Sequence, residues 1–85
     1  LNSDECVEPH AIIQHMWAKG VDVWVCMSDD SYDAARAKID HCVYRVTAYY
    51  PDGFYPVWAR DVGWKYAVPI DTATMTEITE VPNGI

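Results

Sequence analysis

The chain has 85 residues, about half of them apolar and 22% charged, with a formal net charge of −7. That length supports one domain with one core and excludes a cleft between two lobes, and the composition is that of a folded chain rather than a disordered one. The negative charge disfavours direct binding to nucleic acid, and no apolar run approaches the roughly 18 residues that a membrane helix needs.

The charge is uneven, with eight acids against three bases in residues 1–42 and five against three in residues 43–85. Such a surface attracts a basic protein over long range, and an acidic mimic or inhibitor of a nucleic-acid-binding protein is one reading of it. The first residue, Leu1, is not one that normally follows removal of an initiator methionine. With only six Lys+Arg, four Trp and three Cys, the chain is expected to be secreted, with a cytoplasmic location as the alternative.

In chain order, Glu8-Pro9 followed by Ile12, Ile13, Met16 and Trp17 predicts a helix with proline in its first turn and Gly20 as its C-cap. A hairpin strand over 11–18 is the competing pattern. Val21–Met27 is β-branched and apolar on both faces, the signature of a central strand covered on two sides. Ser28-Asp29-Asp30-Ser31 then reads as an N-cap cluster. The helix it opens, Tyr32–Cys42, lines up Tyr32, Ala35, Ile39 and Cys42 on one face.

From there the period switches to two. Val43–Tyr50 and Phe54–Arg60 flank the turn Pro51-Asp52-Gly53, and Trp64–Ile70 follows a break at Asp61-Val62-Gly63. Thr74–Val81 reads as a polar edge strand, and residues 82–85 as a tail. The predicted class is α+β: a single small domain with a largely antiparallel sheet of about five strands and two helices packed on one face.

Seven of the eleven aromatic residues fall within Tyr49–Tyr66. Alternation points Trp64, Tyr66, Val68 and Ile70 into the core, with Tyr44, Val46, Ala48 and Tyr50 on the neighbouring strand and Tyr55, Val57 and Ala59 on the third. Tyr49, Phe54, Trp58 and Arg60 are then left outside as an amphipathic patch of the kind enriched at protein interfaces. The competing reading is that these rings only cover one another near a hairpin end.

Cys6, His10 and Cys26 form a second candidate. A helix running down and a strand running back bring Cys6 and Cys26 to one end of the domain, where they are expected to form a disulfide closing a loop of about 20 residues. The alternative is a metal site using Cys6, His10 and Cys26, although no CxxC knuckle is present. Cys42 is placed out of reach of Cys26. His41-Cys42 does not make a thiol protease, because neighbours on a helix point about 100° apart. Asp29, Ser31 and Asp33 match the start of a calcium loop, but Ala34 stands where that loop needs glycine. No catalytic signature and no cofactor motif are found. The expected function is a non-enzymatic protein-binding module, effector-, toxin- or inhibitor-like, acting through the hairpin aromatics.

Overall fold

Trp24–Ser28, within and just beyond the apolar run, forms β1 in the computed structural model, which describes residues 8–81. The chain order is α1 (Pro9–Ala18), β1, α2 (Tyr32–Arg36), β2 (Tyr44–Arg45), β3 (Ala48–Tyr49), β4 (Val57–Ala59), β5 (Val62–Trp64), β6 (Tyr66–Asp71) and β7 (Thr76–Glu77). β1 is paired antiparallel on both edges, with β2 on one side and β6 on the other. With β7 beyond β6, these make a four-stranded sheet, and β3, β4 and β5 make a second sheet of three strands. The domain is therefore α+β and antiparallel throughout, with two sheets in place of one.

Successive residues of β1 serve different layers because strand side chains alternate. Val25 and Met27 pack with Ile12, Ile13 and Met16 of α1 and with Val46, Tyr49, Val57 and Ala59 from the second sheet and its approach. Cys26 packs the other way, with Ala35 of α2 and with Val68 and Ile70 of β6. The two helices thus lie on opposite faces of the four-stranded sheet, a correction to the expected arrangement on one face. An apolar residue at every β1 position from Val25 to Met27 requires a cover on each side, and the two helices supply it.

α1 begins with Pro9 in its first turn and buries Ile12, Ile13 and Met16. It ends as a Schellman motif: Gly20 takes φ 78°, its N–H donates to the Trp17 carbonyl, and the Val21 N–H donates to the Met16 carbonyl. α2 is capped by Ser31, whose hydroxyl accepts from the Ala34 N–H at 3.0 Å. It stops at Arg36, well short of the predicted end at Cys42. The chain continues in tight turns in which the N–H groups of Lys38, Ile39 and His41 each reach a carbonyl three residues back.

The two sheets are joined at Val46 and Thr47. The Val46 N–H donates to the Val23 carbonyl just before β1, and the Thr47 N–H donates to the Trp58 carbonyl in the second sheet. The expected turn at Pro51-Asp52-Gly53 is present, closed by the Gly53 N–H on the Tyr50 carbonyl at 2.9 Å. A second and tighter turn falls where a break was expected. Arg60 and Asp61, at φ 55° and 63°, link β4 to β5. Left-handed backbone at both positions matches a two-residue hairpin to the twist of its strands, but glycine or asparagine usually occupies it.

Within that hairpin Trp58 lies opposite Gly63. A Cβ added at Gly63 would come within 2.8 Å of Tyr55 Cβ and 2.9 Å of the Trp58 ring. The indole therefore lies directly on the glycine backbone, and no side chain fits between them. Gly63→Ala is expected to cost about 1–3 kcal/mol, as overpacking at a close contact does. Urea unfolding followed by tryptophan fluorescence measures it. A midpoint equal to wild type would show that the Trp58 ring is free to move aside.

Candidate functional site

The predicted patch of Tyr49, Phe54, Trp58 and Arg60 does not assemble as one surface. Tyr49 is only 9% exposed, and its hydroxyl donates to the His10 carbonyl at 3.4 Å. Its side chain belongs to the core, and the outward assignment is corrected. The alternation holds from Arg45 to Thr47, out, in, out, and then slips where the chain passes from one sheet to the other. Ala48 pairs with Trp58 and Tyr49 with the buried Val57, so Tyr49 is the residue turned in and Tyr50 the one turned out.

Trp58 is half-buried against Gly63, which is a packing role. Arg60 is exposed on its turn, where its guanidinium lies 4.9 Å from the Tyr44 ring centroid and donates to the Tyr44 hydroxyl at 3.1 Å. Phe54 alone of the four presents a fully open ring, 70% exposed. It is joined by two residues expected inside, Tyr50 at 57% and Tyr55 at 42%. These three rings sit on the loop between β3 and β4. Phe54 and Tyr55 meet edge to face with centroids 4.7 Å apart, and Lys65 Nζ stands 4.8 Å from the Phe54 centroid. The loop is closed at its base by the Tyr50 N–H on the Pro56 carbonyl at 2.8 Å.

The cysteines are arranged differently from the expectation. Cys26 is a free, fully buried thiol whose Sγ donates to the Cys42 carbonyl at 3.0 Å, where the sequence led to the expectation of a Cys6–Cys26 disulfide. Cys6 itself lies outside the described residues. Cys42 is not out of reach of Cys26: α2 is short, and β2 runs back beside β1, which brings the two cysteines together. Burial pushes the Cys26 thiol up to about 11, reinforced by the nearby Cys42 and opposed by Lys38. Such a thiol stays protonated and unreactive.

Among the described residues no group of three His, Cys, Asp or Glu side chains is placed to hold a metal ion. His10 stands edge-on to the rings of Tyr32 and Tyr49, at 5.6 and 6.5 Å between centroids. Its Nε2 is buried and finds no hydrogen-bond partner among the described residues. Burial lowers its pKa from the usual 6.5, with Glu8 partly opposing. The three residues of the calcium-loop pattern are occupied otherwise. Asp29 accepts from the Lys65 N–H, Ser31 caps α2, and Asp33 is ion-paired with Arg36.

A further feature has no counterpart in the sequence reading. Between the β4–β5 hairpin and the chain leaving α2 lies a cleft of about 330 Å³, lined by Tyr44, Trp64, Lys38 and Arg60, with Met27 and Val62 among its apolar residues. Its residues come from β1, β2, the turns after α2 and the β4–β5 hairpin, so no local motif announces it. Comparison with known proteins gives no match to a family model, to a curated protein or to a solved structure.

Two expected outcomes follow from the buried groups. Under limiting alkylation of the native protein, Cys42 is expected to be labelled well before Cys26, as peptide mass mapping resolves; equal rates would place the Cys26 thiol in solvent. His10 takes up its proton near 6.5 in the unfolded chain but only at lower pH in the fold. Stability is therefore expected to be full above that value and to fall as pH drops through it. Urea midpoints at about pH 7.5 and about pH 5.5 should differ more for wild type than for His10→Gln. An identical pH dependence in the two proteins would remove His10 as the cause.

Proposed function

We propose that this domain is a non-enzymatic protein-binding module whose contact surface is the aromatic loop between β3 and β4. The observation that carries the reading is the exposure of Tyr50, Phe54 and Tyr55 on one loop of seven residues, 50–56, in which the backbone is closed at the base. Large rings left in water cost free energy that a partner's surface recovers, and rings ordered before contact lose little entropy on binding. Aromatic anchors of this kind carry a disproportionate share of interface energy. The net charge of −7 favours a basic protein as the partner and speeds the encounter at low salt. An effector, toxin or inhibitor acting by occupation of a partner's surface fits this description.

The reading is tested with Phe54→Ser and Tyr50→Ser, changes on the open surface. Each variant is expected to melt within about 0.5 kcal/mol of wild type. Each is also expected to lose at least tenfold in affinity, about 1.4 kcal/mol or more, for partners crosslinked by the wild-type protein and identified by mass spectrometry. Crosslinked partners retained equally by the folded variants would rule out the loop as the contact surface.

A further inference from the structure

The geometry points to a second site, distinct from the aromatic loop: we propose that the cleft between Tyr44 and Trp64 binds a small organic anion, a carboxylate on a flat apolar body. Its volume of about 330 Å³ lies at the lower end of the range of small-molecule sites, roughly 300–1,000 Å³. No residue of loop 50–56 lines it.

The charge at the cleft is opposite to that of the whole protein. Thirteen acids outnumber six bases in the chain, yet two of those bases, Lys38 and Arg60, line this cleft and no acid does. Arg36 and Arg45 are held in ion pairs with carboxylates. Among the described residues Lys38 and Arg60 are not. Their contacts are neutral: Lys38 Nζ donates to the Met27 carbonyl at 3.3 Å, and Arg60 donates to the Tyr44 hydroxyl at 3.1 Å. Those contacts hold each cation in place without cancelling its charge. A carboxylate between them gains charge-assisted hydrogen bonds from donors already oriented.

The rest of the lining selects the body of the ligand. Tyr44 and Trp64 are aromatic, each with one of the two cations beside its ring, Arg60 at 4.9 Å from the Tyr44 centroid and Lys38 at 5.9 Å from that of Trp64, and Met27, Ala59 and Val62 are apolar. A flat ring packs against such walls, whereas inorganic phosphate would leave most of them uncovered. The Trp64 N–H is buried and finds no hydrogen-bond partner among the described residues.

The backbone gives an independent pointer. Arg60 holds φ 55° on a turn where its partner Asp61 is also left-handed. A long side chain costs free energy in that conformation, and such strain persists where a particular side chain is needed at that point. Here it sets an arginine in the lining of the cleft.

The test is a titration of the ¹⁵N-labelled full chain with 2-naphthoate, followed by amide and indole N–H shifts. Saturable shifts are expected at Trp64, Val62 and Cys42. Binding is expected to weaken at least tenfold for the neutral 2-naphthamide and in the variants Lys38→Gln and Arg60→Gly, and to be unchanged in Lys65→Gln. Arg60→Gly relieves the turn, so it is expected to melt no lower than wild type while losing the anion; this separates lost binding from lost folding. Absence of saturable shifts at the cleft, equal binding of the amide, shifts confined to loop 50–56, or tight binding in Arg60→Gly would each overturn the proposal. The role of the aromatic loop in protein binding is read separately, from protein partners.

Discussion

The fold depends on β1 being buried on both faces and bonded on both edges. Val25, Cys26 and Met27 are all removed from water, and each alternate side chain needs its own cover. α1 and the second sheet cover one side, and α2 covers the other. Pairing Val25–Ser28 with Tyr66–Pro69 satisfies the backbone groups that this burial would otherwise leave without water. A domain this small has few other ways to bury enough apolar surface, and β2 and β6 are both paired directly to that central strand.

The second sheet is held by contacts of a different kind. Its strands are two or three residues long, too short for pairing alone to fix them. It is held by Tyr49 and Val57 inserted into the first sheet's core and by the Trp58 indole lying on the Gly63 backbone. The shared segment Val46–Thr47, bonded to Val23 just before β1 and to the second sheet, sets their spacing. That segment also explains the cleft: the β4–β5 hairpin leaves the core at Ala59, turns at Arg60–Asp61, and stands away from the end of α2. The strain, the two cations without an ion pair among the described residues, and the open space occur together there, while the aromatic loop projects from the β3–β4 connection.

Arg36 ties the far edge together. It is bonded to Asp33 within α2 and to both carboxylate oxygens of Glu77 on β7. Exposed ion pairs contribute little individually, but this fork joins α2 to the edge strand and pairs Arg36 with carboxylates, as Lys38 and Arg60 are not paired among the described residues.

The sequence by itself determined the class of fold, the central strand, the N-cap cluster Ser28-Asp29-Asp30-Ser31, the C-cap at Gly20 and the turn at Pro51-Asp52-Gly53. Each is written in a few adjacent residues whose local chemistry has one good solution. It did not determine which rings face water. A shift of one residue at Thr47–Ala48 exchanges Tyr49 and Tyr50 between core and surface, while Val57 and Ala59 keep their inward positions, and nothing local marks the passage from one sheet to another. For that reason Tyr49 reads as surface and Tyr50 as core, the reverse of their positions. The length of α2, and with it the closeness of Cys26 to Cys42, was likewise decided by packing, because Ala34 to Ile39 suit a longer helix as well as a short one. The cleft was decided by tertiary structure alone: Lys38, Tyr44, Arg60 and Trp64 are far apart in the chain and meet only because two sheets and a shortened helix bring them there.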